Sequence, residues 1–198
     1  MYKKYIKRIL DLIFSLIGLP FLVILIVPVS ILIKIEDGGP IFYNAIRIGK
    51  NKVPFKMYKF RTMKVNSPDI RLPDGSTFNS KDDPRVTNTG KILRESSLDE
   101  TPQLINVLLG NMSLIGPRPD LDLNTNYPEE INFILKAKPG ITGYTQSYFR
   151  NETTWLDKIK YDLYYVKHLS FCLDLKIMLK TLYIVLKREK TYRIEEKI

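Results

Sequence analysis

An almost uninterrupted apolar run from residue 12 to residue 33 limits what this chain can become more than any other feature. About 20 apolar residues are enough for one helix to cross a bilayer, so the chain is expected to live at a membrane. No small-residue cleavage site follows the run, and polar, chemistry-bearing sequence begins soon after it, which argues against a removable signal peptide. Basic residues stand on both sides: Lys3, Lys4, Lys7 and Arg8 before it, then Lys34, Arg47, Lys50, Lys52, Lys56, Lys59 and Arg61 after it. Flanks rich in Lys and Arg prefer the cytoplasm, so a plain span would strand one of them outside. Pro20 and Pro28 lie within the run, and a proline removes a backbone donor and clashes with the turn before it. Two arrangements fit at this point: a re-entrant helix–break–helix that enters and leaves on the cytoplasmic face, and one kinked transmembrane helix.

The formal net charge of +10 attracts polyanions, whether nucleic acid, anionic lipid or phosphate-bearing small molecules. With 26% charged and 44% hydrophobic residues, the chain is neither disordered nor a polytopic membrane protein. Its 198 residues give room for one domain plus a membrane element. The single cysteine, Cys172, excludes an internal disulfide and a Cys-rich zinc site and fits a reducing compartment. The single histidine, His168, reads as an ordinary interfacial or packed residue. Chemistry must therefore rest on carboxylates and arginines.

After a turn-rich break at residues 36–40, short strands at 41–43 and 55–60 flank the turn-prone Gly49-Lys50-Asn51-Lys52, the pattern of a β-hairpin. Residues 65–88 read as a long loop. Helical character returns at 91–94, at 99–109 and at 127–136, with a Gly/Pro-rich turn at 116–119. Trp155, Ile159, Leu163 and Val166 fall at helical spacing, as do Leu175, Leu179, Leu182 and Leu186. Lys176, Lys180 and Lys187 interleave the second set, as in a helix lying in a membrane interface, although a surface helix covering a core has the same pattern.

Two constellations can carry chemistry. Ser97 with Glu100 matches a capping box, but Pro102 would then fall beyond the first turn. An N-cap at Asp99 or Thr101 puts the proline where helices tolerate it, with Asp99 and Glu100 at the positive end of the dipole. An ionised, partly desolvated aspartate can attack phosphorus, and a neighbouring carboxylate can hold Mg²⁺. Helix capping alone explains the same residues. The second constellation is a set of arginines near turns, Arg85, Arg94, Arg118 and Arg150, suited to bidentate phosphate recognition. Each taken singly also reads as a surface arginine. Neither a P-loop nor a GxGxxG turn is present.

The order of motifs resembles the bacterial sugar transferases, the monotopic phosphoglycosyl transferases. The resemblance starts at Lys7-Arg8-Ile9-Leu10-Asp11 and Pro40-Ile41-Phe42, continues through Lys59-Phe60-Arg61-Thr62-Met63 and Asp83-Pro84-Arg85, and reaches Ser97-Leu98-Asp99-Glu100 and Asn106-Val107-Leu108. It goes on through Gly116-Pro117-Arg118-Pro119, Lys138-Pro139-Gly140-Ile141-Thr142-Gly143 and Leu173-Asp174-Leu175-Lys176-Ile177, covering nearly the whole chain. It implies a re-entrant membrane helix broken near Pro28. It also implies Asp99 as the nucleophile toward the sugar-bearing phosphate of a UDP-sugar, with Glu100 binding Mg²⁺, and a covalent phosphosugar–enzyme from which polyprenyl (undecaprenyl) phosphate takes the sugar phosphate. Arg94 and Arg118, with Arg150, Arg85, Lys59 and Arg61, are the phosphate-binding set that follows. Tyr144-Thr145-Gln146 and Ser147-Tyr148-Phe149-Arg150-Asn151 depart from the family's usual Trp-Ala-Gln and Asn-Gly-Arg-Asn, where sugar or nucleotide contacts are plausible.

The expected fold is α+β and mostly helical. Residues 1–36 form the re-entrant membrane anchor and 37–198 a compact catalytic domain on the cytoplasmic face of the bacterial inner membrane, with a small β-hairpin and interfacial amphipathic helices. The expected partners are the UDP-sugar, with an amino or acetamido sugar the leading choice, polyprenyl phosphate and membrane lipids, with a homodimer left open. A non-enzymatic scaffold would be expected to lack Asp99 or Glu100, and both are present. A nucleic-acid binder would carry a helix-turn-helix or aromatic-basic strand motif, and none is found.

Overall fold

In the computed structural model, which describes residues 1–70, 78, 80–119, 129–149 and 153–187, the apolar run is a single helix. After a π-helical turn over Tyr2–Ile6, α1 runs from Lys7 to Asp37 through both prolines. The break expected at Pro28 is absent. Each proline removes one N–H from the ladder, and the stripe carrying Leu22, Val29 and Ile33 is held against the domain on both sides of Pro28.

The buried positions of α1 are Asp11, Ser15, Leu22, Val29 and Ile33. Steps of four and seven residues put them on one face, and Gly18 completes the stripe where a Cβ would come 3.0 Å from the Leu104 side chain. The other face turns Ile17, Ile24, Val27 and Ile35 outward. Both ends of α1 are bound to the same body. At its start Lys7 Nζ lies 2.7 Å from Asp174 Oδ2, and Arg8 donates to the Val107 carbonyl. At its end Glu36 accepts from the Asn88 and Thr89 amides at 2.6 and 2.9 Å, and Asp37 takes both arms of Arg61. The expected boundary at 36/37 thus falls in a helical turn bonded to the domain.

The hairpin forms as expected, with longer strands: β1 (Phe42–Ile48) pairs antiparallel with β2 (Pro54–Phe60), from Phe42 opposite Phe60 to Ile48 opposite Pro54. Asn51 and Lys52 supply the positive φ angles its turn needs. α2 (Asn88–Glu95) is capped by Thr87 Oγ1, which accepts from the Gly90 amide at 2.9 Å. Gly90 allows α2 to touch the end of the hairpin, since a Cβ there would lie 2.0 Å from the Thr62 carbonyl oxygen.

α3 spans Gln103–Leu109 and α4 Glu129–Ile134, the described part of the helix expected at 127–136. A parallel pair joins β3 (Ser113–Ile115) to β4 (Gly140–Thr142). α5 (Tyr144–Tyr148), α6 (Trp155–His168) and α7 (Phe171–Lys187) complete the described chain.

One core cluster joins Leu22, Val29 and Ile33 of α1 to Phe60 and Leu93. A second gathers Ile115, Tyr165, Val166 and Ile177, and a third packs Trp155 and Ile159 on Ile48, Ile131 and Leu135. α7 faces its core with Ile177 and Ile184, while Leu175, Leu179, Leu182 and Leu186 point outward. The leucine stripe therefore does not cover the core. His168 is exposed and stacks on Tyr164 at 4.2 Å.

Two substitutions separate the faces of α1. Leu22→Ala, at 1% exposure, is expected to lower unfolding stability in detergent by about 2–5 kcal/mol. Ile24→Ala, at 71% exposure, is expected to change it by less than about 0.5 kcal/mol. Equal losses in a denaturant titration would mean that the two faces are not distinguished in this way.

Candidate active site

Asp99 and Glu100 lie in a 3-10 turn, Leu98–Glu100. Ser97 ahead of it is left-handed, φ 57° and ψ 18°, a conformation costing a non-glycine residue roughly 1–2 kcal/mol. α3 starts only afterwards, with Pro102 as its N-cap and no side-chain cap. The cap expected at Asp99 or Thr101 is therefore displaced. The turn is closed by its own backbone, Thr101 N to Leu98 O at 3.2 Å, so the two carboxylates precede the helix instead of serving it.

The Asp99 side chain points inward. Lys59 Nζ is 2.8 Å from its Oδ2 and 3.4 Å from Glu100 Oε1. Arg118 Nη2 reaches the same Glu100 oxygen at 3.2 Å. Exposure is 5% for the Asp99 side chain, 20% for Glu100 and 39% for Arg118, so the cluster opens outward from a buried aspartate.

Asp99 and Glu100 share one turn, and the cations around them come from three other places in the chain. Lys59 sits near the end of β2, whose inner edge pairs with β1. Its other edge is met by Asn106 of α3, fully buried, which accepts from Tyr58 N at 2.9 Å and donates to Lys56 O at 2.7 Å. Those bonds lock the helix after the dyad onto the strand bearing Lys59. Arg118 follows β3, and the turn before it is fixed by Gly116 N to Thr142 O at 2.8 Å and Gly140 N to Pro117 O at 2.9 Å. The two chains approach so closely that a Cβ on Gly140 would lie 2.1 Å from Gly116 N. Arg94 closes α2, donates to Thr62 Oγ1 at 3.0 Å, and lends its positive charge to Asp99.

Burial pushes the Asp99 carboxyl above the usual carboxylate range; the Lys59 charge opposes this, and that of Glu100 adds to it. Burial alone would lower Lys59, yet Asp99 and Glu100 together hold it above the ordinary lysine value.

Lys59, Arg94, Asp99, Glu100 and Arg118 are thus brought together. Arg61 and Arg85 are not part of this group. Arg61 is buried against Asp37 and the Pro40 and Met63 carbonyls. Arg85 binds Asp83 at 2.7 and 2.9 Å and donates to the Pro68 and Phe78 carbonyls. Arg150 lies outside the described residues, and Pro28 is on the exposed side of α1. Asn106 stands outside the expected site residues yet positions Lys59; its signal in the sequence is a lone amide inside the apolar Leu104-Ile105-Asn106-Val107-Leu108.

Among the described residues no cluster of three or more His, Cys, Asp or Glu could cage a metal. Mg²⁺ does not need one: it commonly takes one or two carboxylates plus substrate phosphates and water. The Asp99–Glu100 pair, with Glu100 partly open, fits that use. Cations around a buried carboxylate are chemically suited to a phosphate-bearing ligand, and such a carboxylate has the character of a nucleophile.

Comparison with known proteins points the same way. The profile of the bacterial sugar transferases matches residues 2–188. An undecaprenyl-phosphate galactose phosphotransferase of Salmonella typhimurium is 36% identical over 96% of this chain and 42% of its own length. A UDP-N-acetylgalactosamine-undecaprenyl-phosphate N-acetylgalactosaminephosphotransferase of Aeromonas hydrophila is 38% identical over 92% of this chain and 44% of its own. The exopolysaccharide production protein ExoY of Sinorhizobium fredii is 39% identical over 89% of this chain and 83% of its own. The chain therefore spans less than half of the first two relatives and most of the third.

The charge arrangement makes a direct prediction. Followed through its carboxyl ¹³C shift, Asp99 is expected to titrate above the roughly 3.9 of an ordinary aspartate. Lys59→Met should move that titration higher still, because the opposing charge is gone. An unmoved titration would show that Lys59 does not set the charge of Asp99.

Proposed function

The chain belongs to the bacterial sugar transferase family, and from that membership we propose that it moves a sugar 1-phosphate from a UDP-sugar to undecaprenyl phosphate. The observation that carries this reading is the buried Asp99 at 2.8 Å from Lys59, with Glu100 and Arg118 at its open side. In the first step an Asp99 carboxylate oxygen attacks the sugar-bearing phosphorus, and the bond from that phosphorus to the bridging oxygen breaks. UMP leaves with that electron pair, and an aspartyl phosphosugar remains. In the second step an oxygen of undecaprenyl phosphate attacks the same phosphorus and returns the Asp99 carboxylate, giving undecaprenyl diphospho-sugar. Neither step needs a net proton transfer, in keeping with a site of carboxylates and cations.

Lys59 holds Asp99 aimed, while Arg118 and Arg94 are suited to neutralise the charge of the transferring phosphoryl group. Mg²⁺ held by Glu100 would supply further charge stabilisation at the phosphates. The relatives named for galactose and for N-acetylgalactosamine favour UDP-linked galacto-configured sugars as donors. A place at the first membrane step of glycan assembly follows from the lipid-linked product.

The reading also calls for a catalyst at a lipid surface. α1, of 31 residues, is roughly 46 Å long at 1.5 Å per residue, longer than the roughly 30 Å hydrocarbon core. Because both its ends bond to the catalytic body, a one-sided embedding is favoured over a span. The outward face of α1 and the outward leucines of α7 would then enter one leaflet, at the cytoplasmic face where the basic flanks are favoured.

The test is turnover in detergent micelles containing undecaprenyl phosphate and Mg²⁺, with UDP-galactose and UDP-N-acetylgalactosamine as donors. UMP and a lipid-linked sugar should form together. Asp99→Asn should reduce the rate by about 10³-fold or more, and Glu100→Gln by about 10²-fold. An Asp99→Asn enzyme keeping a tenth of the rate would rule out the assigned role.

A further inference from the structure

The first turns of α1 touch both halves of the active site. Arg8 donates to the Val107 and Leu108 carbonyls at 2.5 and 3.0 Å, at the end of α3, the helix following the Asp99–Glu100 turn. One turn later Asp11 Oδ1 accepts from Ser113 Oγ at 3.0 Å and from Leu114 N at 2.9 Å. Asp11 is 5% exposed and has no place in the chemistry above. A carboxylate is costly to bury, so its presence here calls for an explanation in the bonds that it makes.

Those bonds fall on β3, four residues before Arg118. The intervening chain has little freedom to absorb a shift. Gly116 and Pro117 are bonded to Thr142 and Gly140 across the parallel pair, and Pro117 and Pro119 restrict the backbone on both sides of the arginine. Lys7, by contrast, turns away to Asp174, where the Tyr2 and Tyr165 hydroxyls also donate.

We infer that Asp11 is a positioning residue: from the membrane-facing helix it sets the register of β3 and, through it, the reach of Arg118 toward Glu100. This rests on the proposed role of Arg118 in handling the donor's phosphate. It makes the helix facing lipid part of the catalytic alignment as well as an anchor. Because a single oxygen takes both hydrogen bonds, an amide oxygen can replace it, and the negative charge is not what matters.

The experiment compares Asp11→Asn, Asp11→Ala, Arg118→Ala and the Asp11→Ala/Arg118→Ala double variant in full-length chain. UMP release is measured with UDP-galactose and UDP-N-acetylgalactosamine, alongside hydrogen exchange of the Leu114, Gly116 and Arg118 amides. Asp11→Asn should stay within about 3-fold of wild type in kcat/KM, whereas Asp11→Ala should lose about 10–100-fold. The double variant should be no worse than Arg118→Ala by more than about 3-fold, because both remove the same contact. Exchange at the three amides should rise in Asp11→Ala only. Losses that multiply in the double variant, or an Asp11→Asn enzyme as poor as Asp11→Ala, would overturn the inference. If Asp11→Ala does not fold, Ser113→Ala removes one of the two bonds, and its smaller loss must also vanish against Arg118→Ala. Unchanged exchange in an active enzyme counts against Asp11, whereas altered exchange with a wild type inert on both donors keeps the coupling and counts against the transferase reading.

Discussion

Lys59 and Asp99 meet at 2.8 Å with both side chains largely withdrawn from water. Taking an ion pair out of water costs several kcal/mol per ion, and the attraction offsets this only where geometry is good and the remaining polar atoms are met. A pair of this kind contributes little net stability, so its worth lies in keeping one carboxylate charged and aimed. Lys59 extends to Glu100, and Glu100 to Arg118, which gives alternating charges running from the buried end to the open one. The hairpin and the turn after β3 each contribute one charge to that row, and the strained turn at Ser97 contributes two.

The longest helix frames all of them. Arg8 holds α3 behind the dyad, Asp11 holds β3 ahead of Arg118, Glu36 binds the start of α2, which carries Arg94 in its last turn, and Asp37 pairs with Arg61 two residues after Lys59. The hairpin end, α2, α3 and β3, which also pack on one another through Phe55, Phe60, Leu93 and Val107, are thereby all tied to one long helix. The same helix carries an outward apolar face. Such a geometry suits the proposed reaction between a soluble nucleotide sugar and a lipid phosphate, which calls for a site aligned at the depth of the acceptor's head group.

Much of this was legible in the sequence, for reasons that can be named. The apolar run, the hairpin around residues 49–52 and the amphipathic patterns of α6 and α7 carry strong periodicities or turn residues. The β3–β4 pair was not legible, because three-residue strands are too short to show a period and reveal themselves only by pairing across 27 residues of sequence, Ser113 with Gly140. The prolines of α1 point to a break by local propensity alone, whereas the packing of Leu22, Val29 and Ile33 carries the helix past them. Arg61 and Arg85 resembled phosphate ligands since a sequence does not show which arginine already has an aspartate two or twenty-four residues away. The closeness of Lys59, Asp99, Glu100 and Arg118 is not legible in their spacing, since nothing in the sequence announces that β2, a turn and the chain after β3 converge.

The proposed transfer depends on Asp99 acting as a covalent nucleophile. The direct measurement is the intact mass of the protein after exposure to donor and Mg²⁺ with no lipid acceptor present, followed by peptide mapping. A mass gain of one phosphosugar on the peptide containing Asp99, discharged when undecaprenyl phosphate is added, is the predicted result. A protein that turns over donor once acceptor is supplied, yet gains no mass before it, would contradict the account and require transfer in a single step.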